Sequence, residues 1–246
     1  MSKQSLTRLS FFLLGTLLWS YIFFQIRPIA ISLEDFPAEL YLASAWLPAI
    51  GLLLLGGFLM RSVPKNDTIS LFGGSPKWSL LILSLPIICL TIVGVPNTFG
   101  MQANYAGLVF GLVLAVYTLF EEVGWRGYLQ QELDLEVRNE WLKFSIIGIA
   151  WYLWHWDFLD KTSLLSNLMM CGGLILGSAG IGKIAEKTKS LLVCAAFHTL
   201  GNIGFMYGLV VRNVIFEIRL GIIAVCVVVW VLVIKKWDAE RELKAI

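Results

Sequence analysis

Eight separate runs of apolar residues, each close to the length that crosses a bilayer, divide this chain of 246 residues. A membrane helix needs about 20 mostly apolar residues to span the hydrocarbon. The runs are Leu9–Ile26, Leu40–Met60, Trp78–Phe99, Tyr105–Phe120, Trp141–Trp156, Leu164–Ile184, Ser190–Val210 and Ile215–Ile234. Backbone polar groups in lipid must be satisfied within the segment, which makes each run a helix. Only 15% of residues are charged, against about 25% in soluble domains. The expected fold is all-α, a polytopic bundle of about eight transmembrane helices in one domain over 1–246. Its polar motifs lie within about 105–210. An aromatic content of 13% excludes intrinsic disorder. A net charge of +2 without a basic arm argues against nucleic acid as a partner.

The first run is too long for a signal-peptide core, and no A-x-A site follows it, so a retained span is expected. Charge placement tests the count. Lys and Arg collect on the cytoplasmic side of membrane proteins. With the N-terminus inside and eight crossings, only Arg27, Lys161, Arg212 and Arg219 of the 19 Lys and Arg residues fall outside. A missed span would invert every later loop and destroy that asymmetry. Both termini are therefore expected in the cytoplasm. All seven prolines precede residue 100, so the later helices are expected to be the more regular ones. Cys89, Cys171, Cys194 and Cys226 lie inside apolar runs and form no C-x-x-C unit, which suits packing. Glycines 172, 173, 177, 180 and 182 give the sixth run small-residue faces for close helix contact.

Ionisable groups inside a membrane cost several kcal/mol and mark functional sites by default. Here they cluster. Glu121 and Glu122 end the fourth run, and Arg126 follows one turn later. His155 closes the fifth run, while His198 and Asn202 sit inside the seventh; these are the only two histidines. If the fourth helix continues from Tyr105 to about Leu133, a rise of about 1.5 Å per residue brings Glu121, His155 and His198 to the middle part of one membrane. Glu122 and Arg126 are four apart and share a helix face, as do His198 and Asn202. Pairing would neutralise Glu122 and Arg126, leaving Glu121 to point elsewhere. Gly124 and Gly127 would admit a neighbouring helix. Trp151 lies one turn before His155 and would wall its imidazole. Asp157 and Asp160 fall at the outer boundary. Glu217 and Arg219 open the last span as interface anchors. The sequon Asn66-Asp67-Thr68 falls on the inner side.

A carboxylate near an imidazole takes a proton from water in a dry cavity. A second imidazole with a side-chain amide donates hydrogen bonds to an oxyanion. The combination suits amide hydrolysis. No serine or cysteine is placed as a convincing nucleophile. Glu121, His155 and His198 would also make a two-histidine, one-glutamate set for zinc or another divalent metal, although no H-E-x-x-H motif is present. A metal-free site and a metal site both remain open, as do a proton-coupled transporter and a non-catalytic scaffold or immunity protein.

At these residues the sequence resembles the CPBP family of intramembrane proteases, which includes CAAX proteases and bacteriocin-processing (Abi) proteins. The family pattern Glu-Glu-x-x-x-Arg is matched by Glu121-Glu122-Val123-Gly124-Trp125-Arg126. Phe-x-x-x-His is matched by Trp151 to His155, with tryptophan where the family usually has phenylalanine. His-x-x-x-Asn is matched by His198 to Asn202. The resemblance covers about Phe120 to Asn202. It implies that Glu121 with His155 activates a water, that His198 with Asn202 stabilises the oxyanion, and that Glu122 and Arg126 support them. It implies a peptide or membrane-protein substrate within the bilayer. The short, lysine-poor chain suits a bacterial inner membrane.

Overall fold

The computed structural model describes residues 2–33, 42–63, 68–98, 100–155, 162–206 and 208–244. Among them the fold is a bundle of α-helices with no strand; Ser70 and Ser190 form a single isolated bridge. The helices are α1 (Lys3–Leu33), α2 (Leu42–Leu59), α3 (Pro76–Val93), α4 (Ala103–Glu122), α5 (Gln131–Glu136), α6 (Glu140–Trp154), α7 (Leu164–Thr188), α8 (Leu191–Gly201), α9 (Gly208–Asn213) and α10 (Phe216–Lys244).

Each of the eight apolar runs falls on a helix. Among the described residues five helical stretches are long and apolar enough to cross a membrane: Lys3–Phe23, Pro76–Val93, Ala103–Glu136, Leu164–Thr188 and Phe216–Glu240. Leu47–Ser62 and Leu191–Met206 are shorter apolar helices, and α6 has 15 residues. The molecule is a helical membrane bundle. Trp156, Asp157, Asp160, Asn66 and Asp67 lie outside the described residues.

Polar contacts gather alternate helix ends. The Ser2 amide donates to Glu136 at 3.1 Å. Arg8 pairs with Glu132 at 2.5 Å. Lys143 bridges Asp134 at 2.5 Å and Glu186 at 2.7 Å. Lys187 meets Asp238 at 2.8 Å, and the Trp78 indole donates to Glu240 at 2.9 Å. The starts of α1, α3 and α6 thus share one end of the bundle with the ends of α5, α7 and α10. Both termini lie at that end, which is the arrangement an even number of crossings requires.

One expectation of regularity fails. The third run, interrupted in sequence by Pro86 and Pro96, is helical through Pro86 and stops at Val93, where Gly94 takes φ 74° ahead of Pro96. The later helices, although free of proline, are the irregular ones. Val123–Gln130 and Asn202–Met206 are π-helical. The first joins α4 to α5 in one continuous rod, and the second splits the seventh run between α8 and α9. The fourth helix does continue past its charged residues, as the depth argument requires.

Glycine contacts bring this rod against its neighbours. A Cβ on Gly56 would come within 2.7 Å of the Gly124 Cα, and one on Gly124 within 2.8 Å of the Leu52 side chain. A Cβ on Gly127 would sit 2.7 Å from the Met60 sulfur. The neighbour admitted by Gly124 and Gly127 is therefore α2. On α7, Gly182 packs closely on Phe144, whereas Gly172, Gly173 and Gly180 have nothing within 4 Å. Only part of the sixth run's glycine pattern serves contacts within the fold.

The buried apolar residues form two clusters. One unites α1, α2, the first π segment, α5, α6 and α7 around Trp125, Tyr128, Trp151 and Trp154. The other unites α3, α4, α8, α9 and α10 around Phe110, Leu114, Leu200 and Trp230. Cys226 on α10 is fully buried and Cys89 on α3 packs against the same apolar cluster. The polar motifs occupy the seam between the clusters.

Candidate active site

Three elements build the seam. The C-terminal turn of α4 and the first π segment carry Glu121, Glu122, Trp125 and Arg126. The last turns of α6 carry Trp151 and Trp154, with His155 as its C-cap. The turns of α8 before the second π segment carry His198 and Thr199. Helix α4 is tied to α8 by two hydroxyls: Thr118 Oγ1 lies 2.8 Å from Thr199 Oγ1 and 3.2 Å from the Ala195 carbonyl. Both threonines are fully buried. Since each sits one turn or less from a motif residue, this contact sets the register between the carboxylates and His198.

Glu121, Glu122 and Arg126 have no exposed surface. Arg126 donates to Glu122 Oε1 at 3.0 Å, the i,i+4 pair expected from spacing. The same oxygen lies 2.8 Å from His198 Nδ1, which the spacing did not disclose. Glu122 therefore links two of the three motifs instead of serving Arg126 alone. An ionised carboxylate only accepts, so His198 Nδ1 is the donor and Nε2 remains for other use.

Glu121 has separate partners. Its Oε2 accepts the indole N–H of Trp151 at 2.9 Å and that of Trp125 at 3.3 Å. Among the described residues its Oε1 is buried without a hydrogen-bond partner. Unpaired oxygens of this kind are costly in an apolar interior and are found where a substrate or a solvent molecule is handled. Glu122 Oε2, Trp154 Nε1 and the Nε and Nη2 of Arg126 share that condition.

His155 Nδ1 lies 3.0 Å from the Trp151 carbonyl. A carbonyl only accepts, so Nδ1 carries the hydrogen, and in the neutral ring Nε2 holds the lone pair. Both Glu121 and His198 are within electrostatic range of this imidazole. Its ring stands perpendicular to Trp154 at a centroid distance of 4.7 Å. The His198 ring stands edge-on to Trp151 at 4.8 Å.

The structure thus assembles Glu121, Glu122, Arg126, His155 and His198 around Trp151. Asn202 is half-buried at the start of the second π segment, one turn beyond His198, and its side chain bonds no described residue. Arg219, expected as an interface anchor, is buried and donates to the Val214 carbonyl at 3.0 Å and to the Gly204 carbonyl. It caps the segment that begins with Asn202. The isolated cation in an otherwise apolar run was the one sequence signal of that role. Cys194 is buried in the first apolar cluster, consistent with packing.

Glu121, His155 and His198 do not converge on one point. Among the described residues no three His, Cys, Asp or Glu side chains are placed to hold one metal ion. In this arrangement the three residues do not fit as a ligand set.

Comparison with known proteins adds two findings. The family model for Type II CAAX prenyl endopeptidase Rce1-like proteins matches residues 102–204. CAAX prenyl protease 2 of Methanococcus maripaludis is 31% identical over 117 residues, covering 43% of this chain and 42% of the relative. The match thus spans less than half the length of that protein. The family match covers the α4, α6 and α8 residues described above.

Proposed function

We propose, from the match of residues 102–204 to the Rce1-like CAAX prenyl endopeptidase model and the motifs it contains, that the chain is a CPBP-type endopeptidase that cleaves a peptide bond within the membrane. The observation that carries the reading is the state of Glu121: a fully buried carboxylate with one oxygen held by two indoles and the other unpartnered. A side chain so arranged is a general base held in one orientation.

The chemistry runs through this chain's own groups. Glu121 Oε1, helped by the Nε2 lone pair of His155, takes a proton from a water molecule. The resulting hydroxide adds to the carbonyl carbon of the substrate, and the carbonyl oxygen becomes an oxyanion. His198, whose Nδ1 is committed to Glu122, offers Nε2–H to that oxyanion when the ring is an imidazolium. The Asn202 amide supplies a second donor. Protonated Glu121 then returns its proton to the leaving nitrogen as the C–N bond breaks, giving a free carboxylate and a free amine. Arg126 balances Glu122.

Access comes from the histidine side. His155 and His198 keep 8% and 6% of their surface exposed, whereas the two carboxylates keep none. The protein is read as an inner-membrane protein of a bacterium with both termini in the cytoplasm, supported by the Lys and Arg distribution. Its substrate is a peptide or membrane protein, and the name of the Methanococcus relative makes a prenylated CAAX tail the first to try.

The test compares membranes from cells carrying wild type or Glu121→Ala by mass spectrometry of new peptide termini. Termini present only with wild type are the expected result and name the substrates. Cleavage retained in the Glu121 variant sinks the assignment. Biological function surviving in the Glu121, His155 and His198 variants alike points to a scaffold. Substrate-dependent proton flux in liposomes, lost with Glu121, points to a transporter.

A further inference from the structure

One side chain in the seam touches every charged or titratable member of the cluster except Glu122. Trp151 donates its indole N–H to Glu121 Oε2 at 2.9 Å. The Arg126 guanidinium carbon lies 5.0 Å from its ring centroid, within cation–π range. His198 stands edge-on to the same ring at 4.8 Å, and the Trp151 carbonyl takes His155 Nδ1 at 3.0 Å. The residue is 4% exposed. On its far side the ring meets α7, where a Cβ on Gly177 would lie 3.8 Å away.

Most of these contacts need only an aromatic ring and a backbone carbonyl. A phenylalanine would supply both, and phenylalanine is the usual residue at this place in the family that the motif resembles. The contact to Glu121 is different in kind. It needs an N–H, which the indole has and the phenyl ring lacks. Replacement of phenylalanine by tryptophan is therefore not one aromatic for another at this position.

The hydrogen bond also decides which carboxylate oxygen is available. A glutamate side chain rotates about its last bond, and an unrestrained carboxylate presents either oxygen. With the Trp151 indole on Oε2, and the longer Trp125 contact on the same atom, rotation is arrested and Oε1 is the oxygen left unpaired. We propose that Trp151 is a positioning residue for Glu121: its indole N–H fixes Oε2 and thereby presents Oε1 as the base. The inference rests on the endopeptidase reading above, and it adds a determinant that the three-motif pattern does not contain.

The separating variant is Trp151→Phe, which keeps an aromatic ring and the backbone carbonyl and removes the N–H together with the second ring of the indole; the split between kcat and KM and the indole resonance below separate the lost bond from the lost volume. Kinetics are measured on a synthetic peptide spanning the new terminus identified with wild type. Loss of a hydrogen bond to a charged group should lower kcat by roughly 10–100-fold. KM should stay within about twofold, because the lost contact touches the base and not the substrate. Trp125→Phe, with its longer bond, should lose less. A Trp151→Phe enzyme with wild-type kcat overturns the proposal while leaving the endopeptidase reading intact. If wild type itself is inactive, that reading falls, and a second measurement still decides the contact. The Trp151 indole N–H resonance in micelles, assigned by its loss in Trp151→Phe, should move upfield in Glu121→Ala. An unmoved resonance means that the hydrogen bond is not made.

Discussion

The buried pair of Glu122 and Arg126 offers a test in which removing both residues should cost less than removing Glu122 alone. Arg126 makes its side-chain hydrogen bond through Nη1 to Glu122 Oε1 at 3.0 Å, while its Nε and Nη2 are unbonded. Glu122→Met strands a guanidinium with no exposed surface. Breaking a buried pair in this way costs about 3–5 kcal/mol. Arg126→Met should cost less, near the lower end, because Glu122 keeps the His198 Nδ1 contact at 2.8 Å. The double variant removes both charges and fills the space with side chains of similar volume. Apolar replacement of a whole buried pair is often neutral, and the remaining penalty is the His198 bond, about 1–2 kcal/mol. At about 2–4 °C per kcal/mol for a chain of this size, the Glu122 variant should melt roughly 6–20 °C below wild type. The double variant should recover most of that loss. Unfolding followed by tryptophan fluorescence in detergent micelles measures all four proteins. If the double variant is as unstable as the sum of the singles, the two residues are not an energetic unit and the argument is refuted. No member of the set is expected to cleave substrate, since each loses a group that holds His198 or balances it.

Further expectations concern packing and metal. Gly124→Ala should destabilise by about 1–3 kcal/mol and reduce cleavage, because its Cβ would meet the Leu52 side chain at 2.8 Å; Gly172→Ala, with nothing within 4 Å, should melt at or slightly above wild type. Dialysis against a chelator should leave cleavage unchanged, given that Glu121, His155 and His198 do not converge on one ion; activity lost and then restored by zinc would require the three side chains to rearrange.

The membrane class, the eight helical runs and the continuation of the fourth helix past its charges were all legible in the sequence. Each follows from length and hydropathy, which act on one segment at a time. The Glu122–Arg126 pair was legible for the same reason, since i,i+4 spacing is local. The Glu122 contact to His198 was not, because it depends on how α4 and α8 rotate against each other, and the Thr118–Thr199 contact that sets this rotation reads as two ordinary threonines. Trp151 was legible as a wall for His155 but not as a donor, since its partner lies 30 positions away. The π segments are not legible in the sequence because neither contains a proline, the residue that marks helix breaks. Close packing at Gly124 and Gly127 accompanies the irregular ladder instead, and π turns are found preferentially beside functional residues.

The π segment at Val123–Gln130 lets one rod belong to two interiors. Before it, Ala106, Phe110 and Leu114 face the cluster built with α3, α8 and α10. After it, Tyr128, Leu129 and Leu133 face the cluster built with α1, α2 and α6. A wider turn shifts the angular phase of everything downstream, so the same helix changes partners without bending away. Chain length is then as constrained here as residue identity. One residue removed from 123–130 would return the rod to a single phase, and the carboxylates and the core beyond them could no longer both face inward.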